Sequence, residues 1–222
     1  KPDEVTDLVD FKQPEISDTD LKAPIYIDFG PTSLSATPWN NITSHQESST
    51  TSWIKDVENN YTNIGVRVLD GFTATHAGVG SEPASPVTVD GVEFPLTAWK
   101  DGLLVKGEKN QGDVGPGRIE ISQLDVARKY NFTILAIRFN GSKDARISSY
   151  KLVGKTESAV KEVKTGIKDA ASFAAANFEE YIAKFENVEP DSEGKVIVEV
   201  KGLDTGSAAE GHINALCISL AK

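Results

Sequence analysis

A chain of 222 residues with 39% hydrophobic and 25% charged side chains has room for one large domain and is too apolar to be disordered. Its net charge of −10 argues against nucleic acid and anionic membrane as partners, since both select a basic surface, and suits a neutral ligand or a cation. The one cysteine, Cys217, excludes an internal disulfide, and its place in the apolar run INALCISL marks it as an inert core thiol.

In chain order, residues 1–23 (KPDEVTDLVDFKQPEISDTDLKA) are acidic and aperiodic, and are expected to form a tether or loosely packed arm before a domain over 24–222. The chain starts at Lys1 and contains no methionine, so an initiator is expected to have been removed, and a signal peptide with it. No apolar run approaches the roughly 20 residues needed for a membrane span. From Pro24 onward, short apolar runs are broken by Gly, Asn, Asp and Pro, the texture of an all-β sandwich. IYIDFG sets Ile25, Ile27 and Phe29 on one face, and the polar loop after it carries Trp39 between Pro38 and two asparagines. IGVRVLDGF aligns Ile64, Val66 and Val68, and VTVDGVEFP has a hairpin turn at Asp90-Gly91. GRIEISQL pairs Ile119 with Ile121. YNFTILAIRFNG is apolar on both faces, which places it inside a layered structure and not on an edge. RISSYKLVG, GKVIVEVKG and GHINALCISL complete the strands.

Two segments stand apart. In NFEEYIAKFENV, Phe178, Tyr181, Ile182 and Phe185 have helical spacing, and the preceding DAASFAAAN is rich in alanine. Tyr181, Ala183 and Phe185 also alternate, and a strand from about Tyr181 would pair with KVIVEVKG across the turn EPDSEG. We expect the strand, with one short helix admitted in the fold. The longest loop expected is TATHAGVGSEPASP, residues 73–86, a length that in a compact domain marks a functional or mobile segment.

Catalytic signatures are absent: there is no Gly-x-Ser-x-Gly elbow, no His-Glu-x-x-His helix and no phosphate loop. His45, His76 and His212 are too scattered to mark a metal cluster; the first two fall in expected loops and the third opens the last strand. DVENN, NGSKDAR and EPDSEG are oxygen-rich enough to raise calcium, but none has the spacing of a calcium loop and all read as solvated turns. No cofactor is expected beyond that weak case for a structural calcium.

The aromatics and two arginines carry the remaining signal. A pyranose ring is held by a flat aromatic with polar side chains beside it. Trp39 with Asn40, Trp53 after a Ser/Thr-rich stretch, and Trp99 next to Lys100 and Asp101 all offer that combination, and each could equally plug an end of the sandwich. Arg138 lies near the end of the central strand and Arg146 opens the next. A strand-end arginine can fork onto vicinal hydroxyls or a uronate, or pair with a loop carboxylate such as Asp144.

The order of these pieces resembles a known module. YIDFG…PWNNIT, then GVRVLDGF, GRIEISQLDVARKYNFTILAIR and ARISSYKLVG, ending in VEPDSEGKVIVEVKG…GHINALCI, is similar to a β-sandwich module of Bacteroidetes-type secreted proteins, of the malectin-like and galactose-binding-like jelly rolls. Asp28, Trp39 and Asn40 match its first signature, Tyr130 and Phe132 its central strand, and Asn214 and Leu216 its closing one. The resemblance covers roughly residues 24–220, and implies a jelly-roll sandwich of two antiparallel sheets. It also implies an extracytoplasmic protein, at the cell surface or in the periplasm, with a lipid anchor upstream of Lys1, which binds polysaccharide at loops along one edge or end without catalysis. Because Trp39 belongs to the shared signature, it reads better as a lid on the core, which leaves Trp53 and Trp99 as the better ligand candidates. The alternatives are a structural or adhesive module of a surface assembly and, third, a hydrolase acting on carbohydrate or its esters.

Overall fold

A computed structural model describes residues 21–106, 115–139, 146–203 and 210–222. Most of the acidic arm, residues 1–20, and the segment 140–145 with Asp144 lie outside the described residues. The chain first forms β1 (Ile25–Phe29), β2 (Trp39–Ile42), β3 (Thr50–Thr51), β4 (Gly65–Asp70), β5 (Ala74–His76), and the hairpin β6 (Val87–Val89) and β7 (Val92–Phe94). A one-turn helix α1 (Leu96–Trp99) leads to β8 (Gly102–Lys106), β9 (Gly117–Ser122), β10 (Tyr130–Leu135) and the short β11 (Arg138–Phe139). There follow β12 (Ile147–Val153), β13 (Lys161–Lys164), β14 (Gly166–Ile167), helix α2 (Ala170–Ala174) and a 3₁₀ turn (Phe178–Tyr181). The chain closes with β15 (Ile182–Val188), β16 (Val196–Gly202), β17 (Glu210–Ile213) and β18 (Ala215–Leu220).

Two sheets face each other in the β-sandwich expected from the alternation. One runs β15-β10-β18-β1-β2 and the other β13-β12-β16-β9-β4-β3. Pairing is antiparallel throughout both, except that β2 returns parallel to β1. Val196, Val198 and Val200 of β16 and Ile119 and Ile121 of β9 point inward against Ile25, Ile27, Phe132 and Ile134, so period-two alternation fills one core between the sheets. Outward, neighbouring strands of the second sheet set Asp70, Arg118, Glu199 and Lys151 side by side, with Arg118 2.5 Å from Asp70 and 2.8 Å from Glu199, and Lys151 3.1 Å from Glu199. A small sheet, β17-β8-β5, adjoins one end.

The first sheet is covered on its outer face as well. The β6–β7 hairpin, α1, α2 and the 3₁₀ turn lay Phe94, Trp99, Phe173 and Tyr181 over Leu135, Ala215 and Cys217, a second core that also takes Ile137 and Phe139 and so explains why the run YNFTILAIRFNG is apolar on both faces. The hairpin turns at Asp90-Gly91 with both residues in the left-handed region (φ 54° and 74°), as a tight two-residue turn requires.

Four expectations need correction in detail. The strand from about Tyr181 exists as β15, but it pairs with β10 and not with β16; the EPDSEG turn crosses from one sheet to the other. Two short helices precede that strand, capped by Asp169 and Asn177, where one was admitted. The 73–86 segment begins as strand β5, so its loop is shorter than the composition implied. Leu21 is 3% exposed and packs in the main core, so the folded body reaches back at least to that residue.

Candidate functional site

At the end of the sandwich where β10 gives way to β11, five charged or imidazole side chains meet. The β10 ladder stops at Ala136, whose N–H turns aside to Tyr181 O (3.1 Å), while the Ile137 N–H is taken by the side chain of Asn214 (2.8 Å). The chain is thereby redirected into β11, which runs parallel to β14. Thr165 joins the two arginine segments through its backbone: Arg138 donates to its carbonyl (2.6 Å) and its own N–H donates to Arg146 O (2.9 Å). The segments of Arg138 and Arg146 are thus held by the backbone of one residue.

Their side chains enclose two histidines and a carboxylate. Arg138 Nη1 donates to Ala77 O (3.1 Å) and lies 3.3 Å from His76 Nδ1. Arg146 is 5% exposed and reaches Glu210 Oε2 at 3.6 Å. His212 Nε2 approaches the same oxygen at 3.5 Å, an electrostatic contact too long to count as a formed hydrogen bond. The rings of His76 and His212 meet edge-on, 5.0 Å apart. His212 is fixed through its backbone: its N–H donates to Ser148 Oγ (2.8 Å) and its carbonyl accepts from the buried Tyr150 hydroxyl. Gly102 makes room for His76, because a β-carbon there would sit 3.0 Å from His76 Nε2 and 2.5 Å from Ile213 O.

Burial sets the charge states. It pushes both imidazoles below their ordinary range, helped at His76 by His212 and the two guanidiniums and opposed at His212 by Glu210, which favours neutral rings. Glu210 is held down to about 2 by the His212 ring beside it and by Arg146 and Arg138, and is ionised. Arg138 is lowered by burial and by Arg146, with Glu210 and Glu82 acting in the other direction. Glu82 already accepts from Val79 N–H and from Gly80 N–H (2.9 Å). The cluster is short of acceptors. Of nine buried side-chain polar atoms without a hydrogen-bond partner among the described residues, seven belong to His76, Arg138, Arg146, Thr165 and His212.

The other two are Asp28 Oδ1 and Asp101 Oδ1, in a second polar knot nearby. Asp101 Oδ2 accepts from Thr32 N–H (2.8 Å) and Ser33 N–H (3.1 Å), and Asp28 Oδ2 accepts from Ser35 N–H (3.1 Å). Burial raises Asp28 to about 7, with Asp101 adding to the effect, and burial raises Asp101 as well. Gly30, at φ 140°, lets the chain pass Asp101, whose Oδ2 would lie 2.5 Å from a β-carbon at that position.

The aromatic candidates are dispersed. Trp99 is 0% exposed, stacked on Phe173 at 4.9 Å with its indole N–H on Ser85 O (3.2 Å), and so has no face for a sugar. Trp39 is half-buried between Tyr26 and Phe94, at the margin of the outer core, in the lid position. Asn40 is a staple: its amide donates to Tyr26 O and Lys55 O and accepts from Lys55 N–H. Trp53 is half-buried in the left-handed region (φ 53°) and stacks on no aromatic among the described residues. It lies near Gly65, at the opposite end of the second sheet from Arg146. Of the six candidates, Arg138 and Arg146 come together at this polar end. His76, His212 and Glu210 join them; the local cue was the Glu-Gly-His order of β17, which puts Glu210 and His212 on one side of a strand.

Of the three calcium-suggestive stretches, NGSKDAR lies almost wholly outside the described residues, and the other two hold their own carboxylates. Asp56 Oδ1 accepts from Glu58 and Asn60 N–H groups, and Asp191 Oδ1 from those of Glu193 and Lys195. Among the described residues no three His, Cys, Asp or Glu side chains are grouped to hold a metal, and no helix is long and apolar enough to cross a membrane.

No protein-family model matches the chain and no curated protein does. Among solved structures it is similar to the plant receptor-like kinase ANX2, at 8% identity and a TM-score of 0.44 over 82% of this chain and 55% of that one. The ANXUR1 extracellular domain from Arabidopsis thaliana gives 9% identity and a TM-score of 0.45 over 78% and 46% of the two chains. A truncated AlyQ with CBM32 and alginate lyase domains gives 13% and 0.31 over 69% and 33%. The chain spans about half the length of the two plant structures. The fold assignment rests on the strand pairing of the chain itself.

Proposed function

We propose that the chain is a noncatalytic glycan-binding module, acting outside the cytoplasm, whose ligand engages the Arg138 end of the sandwich. One observation carries this: at the strand ends two guanidiniums and two imidazoles keep six buried nitrogens without a hydrogen-bond partner among the described residues, a cluster suited to take oxygen atoms. Sugars are dense in such oxygens. The hydrolase alternative has less support. Acid–base work would look to the near pair Asp28 and Asp101, yet both are 0% exposed and tied to backbone N–H groups. For an adhesive module, a broad apolar patch would be expected, whereas the exposed large hydrophobics Leu34, Tyr61, Val79, Val126 and Val160 are spread over separate segments.

The test is affinity electrophoresis of the purified chain through gels of plant, host and microbial polysaccharides. Retardation by a glycan should be lost in Arg138→Gln and kept in Trp53→Ala, with both variants checked for folding by their melting curves. Free migration through the whole panel would move the assignment to a structural module.

A further inference from the structure

Building on the glycan-binding reading of this site, we infer that the Arg138–Arg146 cluster takes a carboxylate, and that the glycan it binds carries uronic acid residues. The case is made by which atoms lack partners. Arg146 Nε and Nη1 and Arg138 Nε are donors only, are buried, and meet no acceptor among the described residues. Among the described residues Arg146 has one ionic contact, at 3.6 Å, with a Glu210 oxygen that His212 also approaches at 3.5 Å. A buried guanidinium left in that state is costly, and folded proteins rarely leave one without a partner.

A neutral sugar hydroxyl answers this poorly, because each one brings a donor along with its acceptors into a site already rich in donors. A carboxylate brings acceptors alone, is planar, and matches the guanidinium fork with two parallel hydrogen bonds. His76 Nε2 and the His212 nitrogens, also unpartnered, can donate to the same group or accept from a neighbouring hydroxyl of the sugar ring. Access is from the side of Arg138, which is half-buried where Arg146 and His212 are buried. Among the described residues the negative charges that act on Arg138 are Glu210, which already faces Arg146 and His212, and Glu82, which is turned onto Val79 and Gly80. Neither fills the fork. The chain's overall charge of −10 makes this a local exception, so recognition of an acidic chain would depend on these few residues rather than on the surface at large.

The experiment is calorimetric titration of the full chain with oligogalacturonate and oligoglucuronate, each against its methyl ester, and against a neutral galacto-oligosaccharide, a sulfated galactan and polyglutamate. The ester comparison needs no mutation, which matters because Arg146 is buried. Expected is binding to a uronate oligomer that weakens by about tenfold or more on esterification, the scale of one charged hydrogen bond. Arg138→Gln should lose the acid form by a similar factor. Acid and ester bound equally would overturn the carboxylate while leaving glycan binding in place. Tighter binding of the sulfated galactan, or polyglutamate bound as well as the uronate, would overturn the assignment to uronic acid. Failure of every saccharide to bind would sink this inference and the glycan-binding reading together.

Discussion

Asn214 offers the sharpest test of how the site end is held together. Its side chain is fully buried and serves three segments at once: Oδ1 accepts from Ile137 N–H (2.8 Å), and Nδ2 donates to Trp99 O (2.9 Å) and Asp101 O (2.7 Å). Replacement by alanine leaves one buried N–H and two buried carbonyls without those partners. Each orphaned group costs about 1–3 kcal/mol, and partial entry of water into the vacated space reduces the sum, so we expect Asn214→Ala to lose about 3–5 kcal/mol. For a domain of this size that corresponds to a fall in melting temperature of roughly 10 °C. Urea unfolding followed by tryptophan fluorescence reads the loss directly, with Asn214→Asp as companion. Aspartate keeps the acceptor for Ile137 but cannot donate to either carbonyl and brings charge beside Asp101, so it should be at least as damaging. A loss below about 1 kcal/mol in the alanine variant would refute the claim that this amide joins β10, α1 and β8 energetically.

Other outcomes follow from the same geometry. Asp28 holds its proton up to about pH 7, whereas the unfolded chain gives it up near its ordinary value of 3.8. The stability this contributes is complete below the unfolded pKa and declines as pH rises toward 7, by at most about 4 kcal/mol. Asp28→Asn should flatten that decline in urea titrations at pH 5 and pH 8, and an unchanged difference between the two pH values would count against it. Trp99→Ala should cost about 3–5 kcal/mol as a core truncation, while Trp53→Ala should change stability by less than about 1 kcal/mol. Thermal melts of the two variants side by side would show whether the indoles have these opposite roles.

Much of the architecture was legible because alternation is a local signal. Val196, Val198 and Val200 declare an inward face without reference to anything distant, and the two-sided apolarity of YNFTILAIRFNG announces the interior place of β10, between β15 and β18. The partner of β15 was not legible. Alternation states which way a side chain points but not which sheet the strand joins, and a short turn such as EPDSEG can cross between sheets as readily as close a hairpin. Trp99 misled for a related reason: Lys100 and Asp101 make its neighbourhood look polar, yet the ring is buried by Phe173, far along the chain. Arg138 and Arg146 could be picked out as strand-end residues. Their union with His76, His212 and Glu210 depends on β5, β11 and β17 meeting in space, which no single window of sequence contains.

The row of charges across the second sheet has a consequence for how that sheet avoids misassembly. Alternation forbids a strand to slip by one residue, since that would turn its valines to water, but a slip by two leaves the apolar face intact. In the native register Glu199 lies opposite Arg118 on one side and Lys151 on the other. Shift β16 by two against β9 and Val198 still meets an isoleucine, Ile121, while Glu199 comes to face Glu120; shift it by two against β12 and Lys151 comes to face Lys201. Like charges directly opposite are unfavourable in a sheet. The exposed ions, each worth little as a bond, thus proofread the even-numbered errors that hydrophobicity cannot see.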